Sequence, residues 1–393
     1  MTMPRPVPND RTFDVIVIGG GLHGCSVALQ LARRGRTVLV LEKDYPGRHA
    51  SGVNAGGVRR LGRALPEVPL AEASLRMWQC LPELIGDDGG FRPTGQVKLA
   101  ESAADMDILE RRAASVRALG YDHEVVVDGA EVRRWVPSAA NHVVGGLVVV
   151  GDGSADPYRT SVAFFRAAQA AGVTFRIGDG ALGVDFRGDL WRVRMGSDTV
   201  AAPFVVNTAG AWGAEVASWL GDCIPVAPEA PMMMVTARVA PFLKPVVGLA
   251  SRKLSFKQMA NGTVVIGGGR RATIDPQTKA TWLDVAKQSE GARTVAEVFP
   301  HMRNVPITRM WCGVEGTTPD TLPVIGMSPS APAFLHACGF SGHGFQLSPI
   351  VGRLLAEWIV DGKPSLSLAA FAAERFMETP RPQGAIANGR SGP

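Results

Sequence analysis

Nowhere in its 393 residues does this sequence contain a C-x-x-C pair. Its five cysteines, Cys25, Cys80, Cys223, Cys312 and Cys338, are odd in number and far apart. That excludes a disulfide framework, a zinc knuckle and the dithiol of a disulfide reductase, and reduced thiols in a cytoplasmic protein are expected. Long apolar runs are also missing: the longest, around Val143 to Val150, is half of what a bilayer span needs, so no transmembrane segment is expected. The first residues, MTMPRPVPNDRT, hold no apolar h-region, and no signal peptide is expected. An excess of one charge is lacking too. Lys+Arg 41 against Asp+Glu 36 leaves +5, and pairs such as Arg33-Arg34, Arg59-Arg60 and Arg270-Arg271 are scattered, not gathered in a nucleic-acid stripe. Gly 46 and Pro 28 follow no collagen-like period, and no internal repeat is visible.

What remains is a chain with 46% hydrophobic and 20% charged residues, the balance of a globular protein with a large core. At about 150 residues per domain, two to three units are expected. Residues 1–11 and 377–393 read as flexible termini. FDVIVIG is a short apolar strand, Gly21 to Arg34 has helical spacing capped by Gly35, and TVLVLE is a second buried strand, which makes a βαβ unit with a parallel pair. Helical patterns follow at 66–85, 103–119 and 157–171. FRPTGQVKLA, 141–151, VTFRI, LWRVRM and FVVNTAG read as strands, and MMMVTARV, KLSFKQM and GTVVIGGG as antiparallel ones. APAFLHACG closes with a strand, and Leu347 to Asp361 reads as a helix opening on Ser348-Pro349. The α/β segments 12–85, 151–221 and 317–376 are thus interrupted by antiparallel-rich segments 86–150 and 222–316.

Gly19, Gly21 and Gly24 form G-x-G-x-x-G. At this glycine frequency the pattern arises about 0.6 times by chance, so context decides. A second match, Gly178, Gly180 and Gly183, runs into another β-like segment with no helix, and reads as a hairpin. The first follows a strand, opens a helix, and is followed by Glu42 at the end of the next strand. Gly19 makes the turn, Gly21 admits phosphate to the backbone N–H groups, and Gly24 permits close helix–strand packing. Glu42 suits ribose hydroxyls and disfavours a 2′-phosphate. A second dinucleotide unit is missing, which disfavours an NAD(P)H monooxygenase, and VVNTAGAW looks like the closing half of an FAD domain.

Six motifs stand in order: FDVIVIGGGLHGCSVALQLARRG with VLVLEK, ASGVNAGGVR, DGSADPYR, VVNTAGAW, GTTPDTLPVIG and GFSGHGFQLSP. They resemble the amine-oxidising FAD family that includes D-amino-acid oxidase, glycine oxidase, sarcosine oxidase and the catalytic subunits of proline, D-hydroxyproline and opine dehydrogenases. GFSGHGF with VEGTTPD looks most like the dehydrogenase branch. The fold implied is α/β plus α+β: a Rossmann-like FAD-binding domain (12–85, 151–221, 317–376) with an inserted antiparallel-sheet substrate domain (86–150, 222–316). The resemblance puts Gly19, Gly21, Leu22, His23, Gly24, Glu42, Lys43, Ser51 and Gly52 by the adenosine and pyrophosphate. Asn54, Ala55, Gly56 and Gly57 pass close to the flavin, Ala181 holds adenine through its backbone, and Ala209 and Gly210 close the site. Gly339, Phe340, Ser341, Gly342, His343, Gly344, Phe345 and Gln346 bring main-chain N–H groups and a helix N-terminus to the flavin N1–C2=O edge.

For substrate, the resemblance implies Glu315 where glycine oxidase has an arginine, and Gln346 where sarcosine oxidase has a lysine. Glu315 then meets an ammonium or hydroxyl while another cation meets the carboxylate. Arg59 is one candidate, the alternative being a salt-bridged structural arginine. Lys257 is a second, the alternative being a solvated strand residue. His343 touches flavin or substrate, or only orders its turn. Cys312 is one residue out of register from the cysteine that carries covalent flavin in monomeric sarcosine oxidase, so non-covalent FAD is expected. Val265 falls where sarcosine oxidase has its oxygen-activating lysine. The implied activity is FAD-dependent dehydrogenation of a secondary or cyclic amino acid, with hydride passing to flavin N5 and electrons to an acceptor other than O₂ (a quinone, a dye, or a partner flavin or iron–sulfur chain). A peroxide-producing oxidase and a flavin-bearing non-catalytic subunit are the alternatives. A hetero-oligomer with other redox subunits, and membrane association through them, is also implied.

Overall fold

The computed structural model describes residues 12–377. The expected flexible leader, 1–11, and all of the expected tail except Met377 lie outside the described residues.

Val15–Ile18 (β1), Leu22–Ala32 (α1) and Val38–Glu42 (β2) form the expected strand–helix–strand unit. Both strands are buried at every position, as parallel strands covered on two faces must be, and this is why they read as continuous apolar runs. Their pairing is parallel, from Val15 opposite Val38 to Ile18 opposite Leu41. Phe204–Asn207 continues the sheet beyond β1, with Phe334–Cys338 next and Val324–Met327 antiparallel at that edge; Thr174–Ile177 lies outside β2. Helix α1 packs against the long helix Gly344–Asp361 in one apolar core that includes Leu22, Cys25, Leu29, Leu347, Val351 and Leu354.

A second sheet has eight strands, in the order Ile307–Cys312, Met232–Thr236, Val264–Gly267, Ser255–Gln258, Val246–Leu249, Gln96–Ala100, Gly145–Val149 and Val125–Asp128. Every pairing but one is antiparallel. The exception joins Val246–Leu249 to Gln96–Ala100 in parallel, because the two inserted segments meet there edge to edge and the chain between them returns through the first sheet. Val97, Leu99, Phe256, Ile266 and Phe299 fill the core beneath it.

Three local readings need correction. The pattern at 66–85 is not one helix: Val68–Gln79 stops at Cys80 and Leu81–Ile85 begins anew, since Pro82 has no N–H to continue the ladder. The last long helix starts at Gly344, ahead of Ser348-Pro349. Pro349 sits inside it, and the Ser348 hydroxyl donates at 3.0 Å to the Phe345 carbonyl that Pro349 cannot serve. The second glycine motif is not a hairpin. It carries the chain from the parallel sheet into a separate three-stranded one (183–202), and the N–H groups of Gly178 and Asp179 donate to the Glu42 carbonyl.

Candidate active site

One cavity of about 820 Å³ runs from the end of β1 to the face of the eight-stranded sheet, a size usual for a ligand site. Its first part is built by the glycine loop. Gly19 turns at φ +104, and a Cβ there would stand 2.6 Å from the Thr208 carbonyl oxygen. A Cβ on Gly24 would stand 1.9 Å from the Gly19 carbonyl oxygen, so α1 can start this close to β1 only with glycine there. Gly19, Gly21, Leu22 and His23 line the cavity with Ser51, whose hydroxyl accepts the Leu22 N–H at 3.0 Å. That hydroxyl holds one of the first-turn donors a helix leaves unpaired. Glu42 also lines it, its two oxygens accepting the Gly20 and Asp44 N–H groups, each at 2.8 Å. Lys43 sits 3.7 Å over the Trp212 ring, and Ala181, Ala209 and Gly210 complete this end.

Farther along, Asn54 folds its own turn, donating to the Ala50 and Ser51 carbonyls and accepting the Gly56 N–H at 2.7 Å. Asn54, Ala55 and Gly57 line the cavity; Gly52, Gly56 and Gly24 lie behind the wall as packing positions. Opposite, every residue from Gly339 to Phe345 reaches it. Phe340 stacks on His23 with ring centroids 3.8 Å apart, and burial pulls the His23 pKa down to about 3.

The far wall carries cations: Arg59, Arg63 and Lys98. Arg63 is fully buried; its Nε donates to the Arg59 carbonyl at 3.0 Å and Nη2 to Gln346 Oε1 at 3.3 Å. Nη1 has no partner among the described residues. Burial draws Arg63 down to about 9 and lowers Arg59 and Lys98 as well. Nearby acids are already engaged: Glu67 by His343, Glu124 by Arg112 and Asp152 by Arg60. Burial takes His343 down to about 4, so the ring is neutral near pH 7. Its Nδ1–H then donates to Glu67 Oε1 at 3.0 Å and leaves Nε2 as an acceptor.

Glu315 lines the cavity, and burial together with Glu229 raises its carboxyl to about 7. Gln346 does not reach the cavity. It lies in the first turn of the long helix, facing Val68–Gln79: its Nε2 donates to the Ala71 carbonyl at 2.9 Å and its carbonyl accepts from Ser74 and Trp78. Its one link to the site is through Arg63. Lys257 is not solvated; it is 5% exposed and burial lowers it to about 8. It is absent from the cavity wall, standing behind Gly56, where a Cβ would meet its Nζ at 3.0 Å. Cys312 packs with Ala230, Met232 and Ala272, off the cavity.

Sequence reading missed Arg63, Lys98, Gln96 and Glu67. Lys98 and Gln96 had a signal: in QVKLA, Val97 and Leu99 alternate into the core, which turns Gln96 and Lys98 to the other face. Arg63 and Glu67 had none, since their burial depends on the helix packed above them. Among the described residues no helix is long and apolar enough to cross a membrane.

A family model described as FAD dependent oxidoreductase matches residues 14–358. The hydrogen cyanide synthase subunit HcnC of Pseudomonas aeruginosa is 27% identical over 418 residues, covering 94% of this chain and 98% of its own. Glycine oxidase of Geobacillus kaustophilus is 27% identical over 375 residues, with 93% and 97% covered. The crystal structure of L-proline dehydrogenase from P. horikoshii superposes with a TM-score of 0.87 at 25% identity, over 94% of this chain and 99% of that one.

Proposed function

Because the chain belongs to the family of FAD dependent oxidoreductases, we propose that it oxidises the C–N bond of an amino acid with a secondary or cyclic amine and passes the electrons to an acceptor other than O₂. The residues present fit FAD. The N-terminus of α1 and the Gly19–Gly21 turn face one end of a long cavity, with Glu42 and Ala181 beyond it and the Gly339–Phe345 segment opposite. When bound, FAD supplies the two-electron acceptor. Its attachment is non-covalent on this reading, with the Cys312 thiol packed off the cavity. Segments 12–85, 151–221 and 317–376 make the FAD-binding domain, and 86–150 with 222–316 the substrate domain.

The observation that carries the substrate reading is Arg63. A fully buried guanidinium with one nitrogen unpaired at a cavity wall is built for an acceptor from outside the chain. Arg59 and Lys98 stand on the same wall; Arg112 and Arg60 take up Glu124 and Asp152, and only the charge of Glu67 is left against the three cations, so the wall stays net positive and suits a carboxylate. Glu315, ionising near neutrality, meets the amine and takes its proton, leaving the neutral amine that oxidation requires. Neutral His343, held by Glu67, presents an acceptor between the two ends. Groups fixed on separate strands and helices in this way orient the substrate between them.

Glycine oxidase and L-proline dehydrogenase are both named for oxidation of an amino acid, and of the two substrates proline is the cyclic secondary amine; HcnC is named a subunit. That supports a hetero-oligomer in which a partner's flavin or iron–sulfur chain, or a quinone, takes the electrons. One observation favours a peroxide-producing oxidase instead: Lys257, a buried cation behind the Asn54–Gly57 segment. Anaerobic addition of an amino-acid panel to the purified yellow protein tests the main reading. Bleaching by a secondary or cyclic amino acid is expected; a flavin that no member reduces would leave a non-catalytic subunit.

A further inference from the structure

Glu315 opens the short strand Glu315–Thr317, which pairs antiparallel with Ala227–Glu229. In that register Glu229 stands directly opposite Glu315, which puts the two Cβ atoms about 4.5–5.5 Å apart and two like charges face to face. Glu229 does not line the cavity. Its carboxylate is instead paired with Arg271. Arg271 is tied to the same stretch of chain: it bridges Pro231, and the Ala272 N–H donates to the Ala230 carbonyl at 2.8 Å. Half-exposed and at the cavity rim, Arg271 completes a row of three charges, Arg271–Glu229–Glu315. Other groups face Glu315 from the Gly339–Phe345 segment, where Gly342 N–H donates to it and neutral His343 follows, and from the far wall, where Arg59, Arg63 and Lys98 stand.

We propose that Glu229, behind the cavity wall, and Arg271, at its rim, are positioning residues that set the charge on Glu315. A like charge opposite a buried carboxyl disfavours its ionisation, and a cation on that like charge moderates the effect. Glu315 is thereby poised to be unprotonated when the amine enters and to hold its proton afterwards. The transfer is balanced: an N–H bond of the substrate ammonium breaks, an O–H bond forms on Glu315, and the electron pair stays on nitrogen. This rests on the amine-oxidation reading for its purpose, though not for its electrostatics.

The test titrates the substrate-free holoenzyme by infrared difference spectroscopy, taking as the Glu315 band the carboxyl C=O signal that Glu315→Gln abolishes. Glu229→Gln removes the opposing charge and should move the midpoint down by about one pH unit, a tenfold change in the ionisation constant. Arg271→Gln leaves Glu229 unmoderated and should move it up, while Arg271→Lys should restore the parent value. The pH profile of kcat/KM on the best amino acid should shift in the same two directions. Titrations that stay at the parent midpoint in both variants, or move the same way, overturn the proposal. Opposite shifts in a protein that no amino acid bleaches would uphold the charge row and defeat the amine reading.

Discussion

Replacing Arg63 with methionine should separate substrate binding from stability. Burial holds this guanidinium at about 9 against an ordinary 12.5, a penalty of about 5 kcal/mol at 1.36 kcal/mol per unit. Against it stand two hydrogen bonds from a charged donor, to the Arg59 carbonyl and to Gln346, worth about 1.5–3 kcal/mol each. The two sides cancel to within a couple of kcal/mol, and methionine fills much of the same volume, so the melting temperature should barely move. The substrate carboxylate has no such compensation. Losing one charge-assisted bond should cost about 1.5–3 kcal/mol, roughly 10- to 150-fold in kcat/KM. Because the carboxylate is held equally in ground and transition states, the loss should appear as a raised half-saturation in anaerobic flavin reduction, with the limiting rate little changed. Parent-like kinetics in Arg63→Met, or a colourless protein, would refute the assignment: the first removes Arg63 from the carboxylate site, the second moves it to the cofactor.

Glu42→Arg should leave the Gly20 and Asp44 N–H groups without their acceptor and put a cation where the ribose belongs; flavin occupancy after purification should fall to a small fraction, and full occupancy would remove Glu42 from the site. His343 and His23 are neutral in the fold, at about 4 and about 3, while the unfolded chain titrates near 6.5. The unfolded state therefore binds more protons below that pH, so holoenzyme stability should fall as pH drops from 6.5 toward 4, with a shallower slope in His343→Gln. Thermal melts across that window check the sign, and stability rising as pH falls would contradict it. Val265, register partner of Lys257, is uncharged, so reduced enzyme should react slowly with air and fast with a dye or quinone. Equal air- and dye-driven turnover in stopped-flow reoxidation would make it an oxidase.

The fold of the glycine-loop end of the cavity was legible in the sequence because each of its demands is local. Gly19, Gly24 and Glu42 sit within one strand–helix–strand unit, and the chemistry needs those residue types at that spacing. The long-range parts were harder. The resemblance put Gln346 in the site, at the position of sarcosine oxidase's lysine, but the helix begins earlier than Ser348-Pro349 suggested, and its first turn sets Gln346 against Val68–Gln79. Lys257 stood as a candidate cation for the carboxylate, with a solvated strand residue as the alternative, and it is neither on the cavity wall nor solvated, because the layer carrying Gly56 covers it. Glu229 carried no signal, since only strand register places it opposite Glu315.

The parallel pairing of Gln96–Ala100 with Val246–Leu249 bears on how the molecule assembles. Parallel neighbours cannot be joined by a tight turn, and here the connecting chain includes the strands Thr174–Ile177 and Phe204–Asn207 of the other sheet. The two sheets therefore cannot mature independently: the strand bearing Gln96 and Lys98 pairs early with Gly145–Val149 but gains its second neighbour only after the intervening chain has returned. Such a contact, distant in sequence, closes late because its loop entropy must be met first. The stretch of cavity wall that Val246, Val247 and Gly248 form beside Gln96 and Lys98 is consequently among the last to form, whereas β1, α1 and β2 can come together early from adjacent segments.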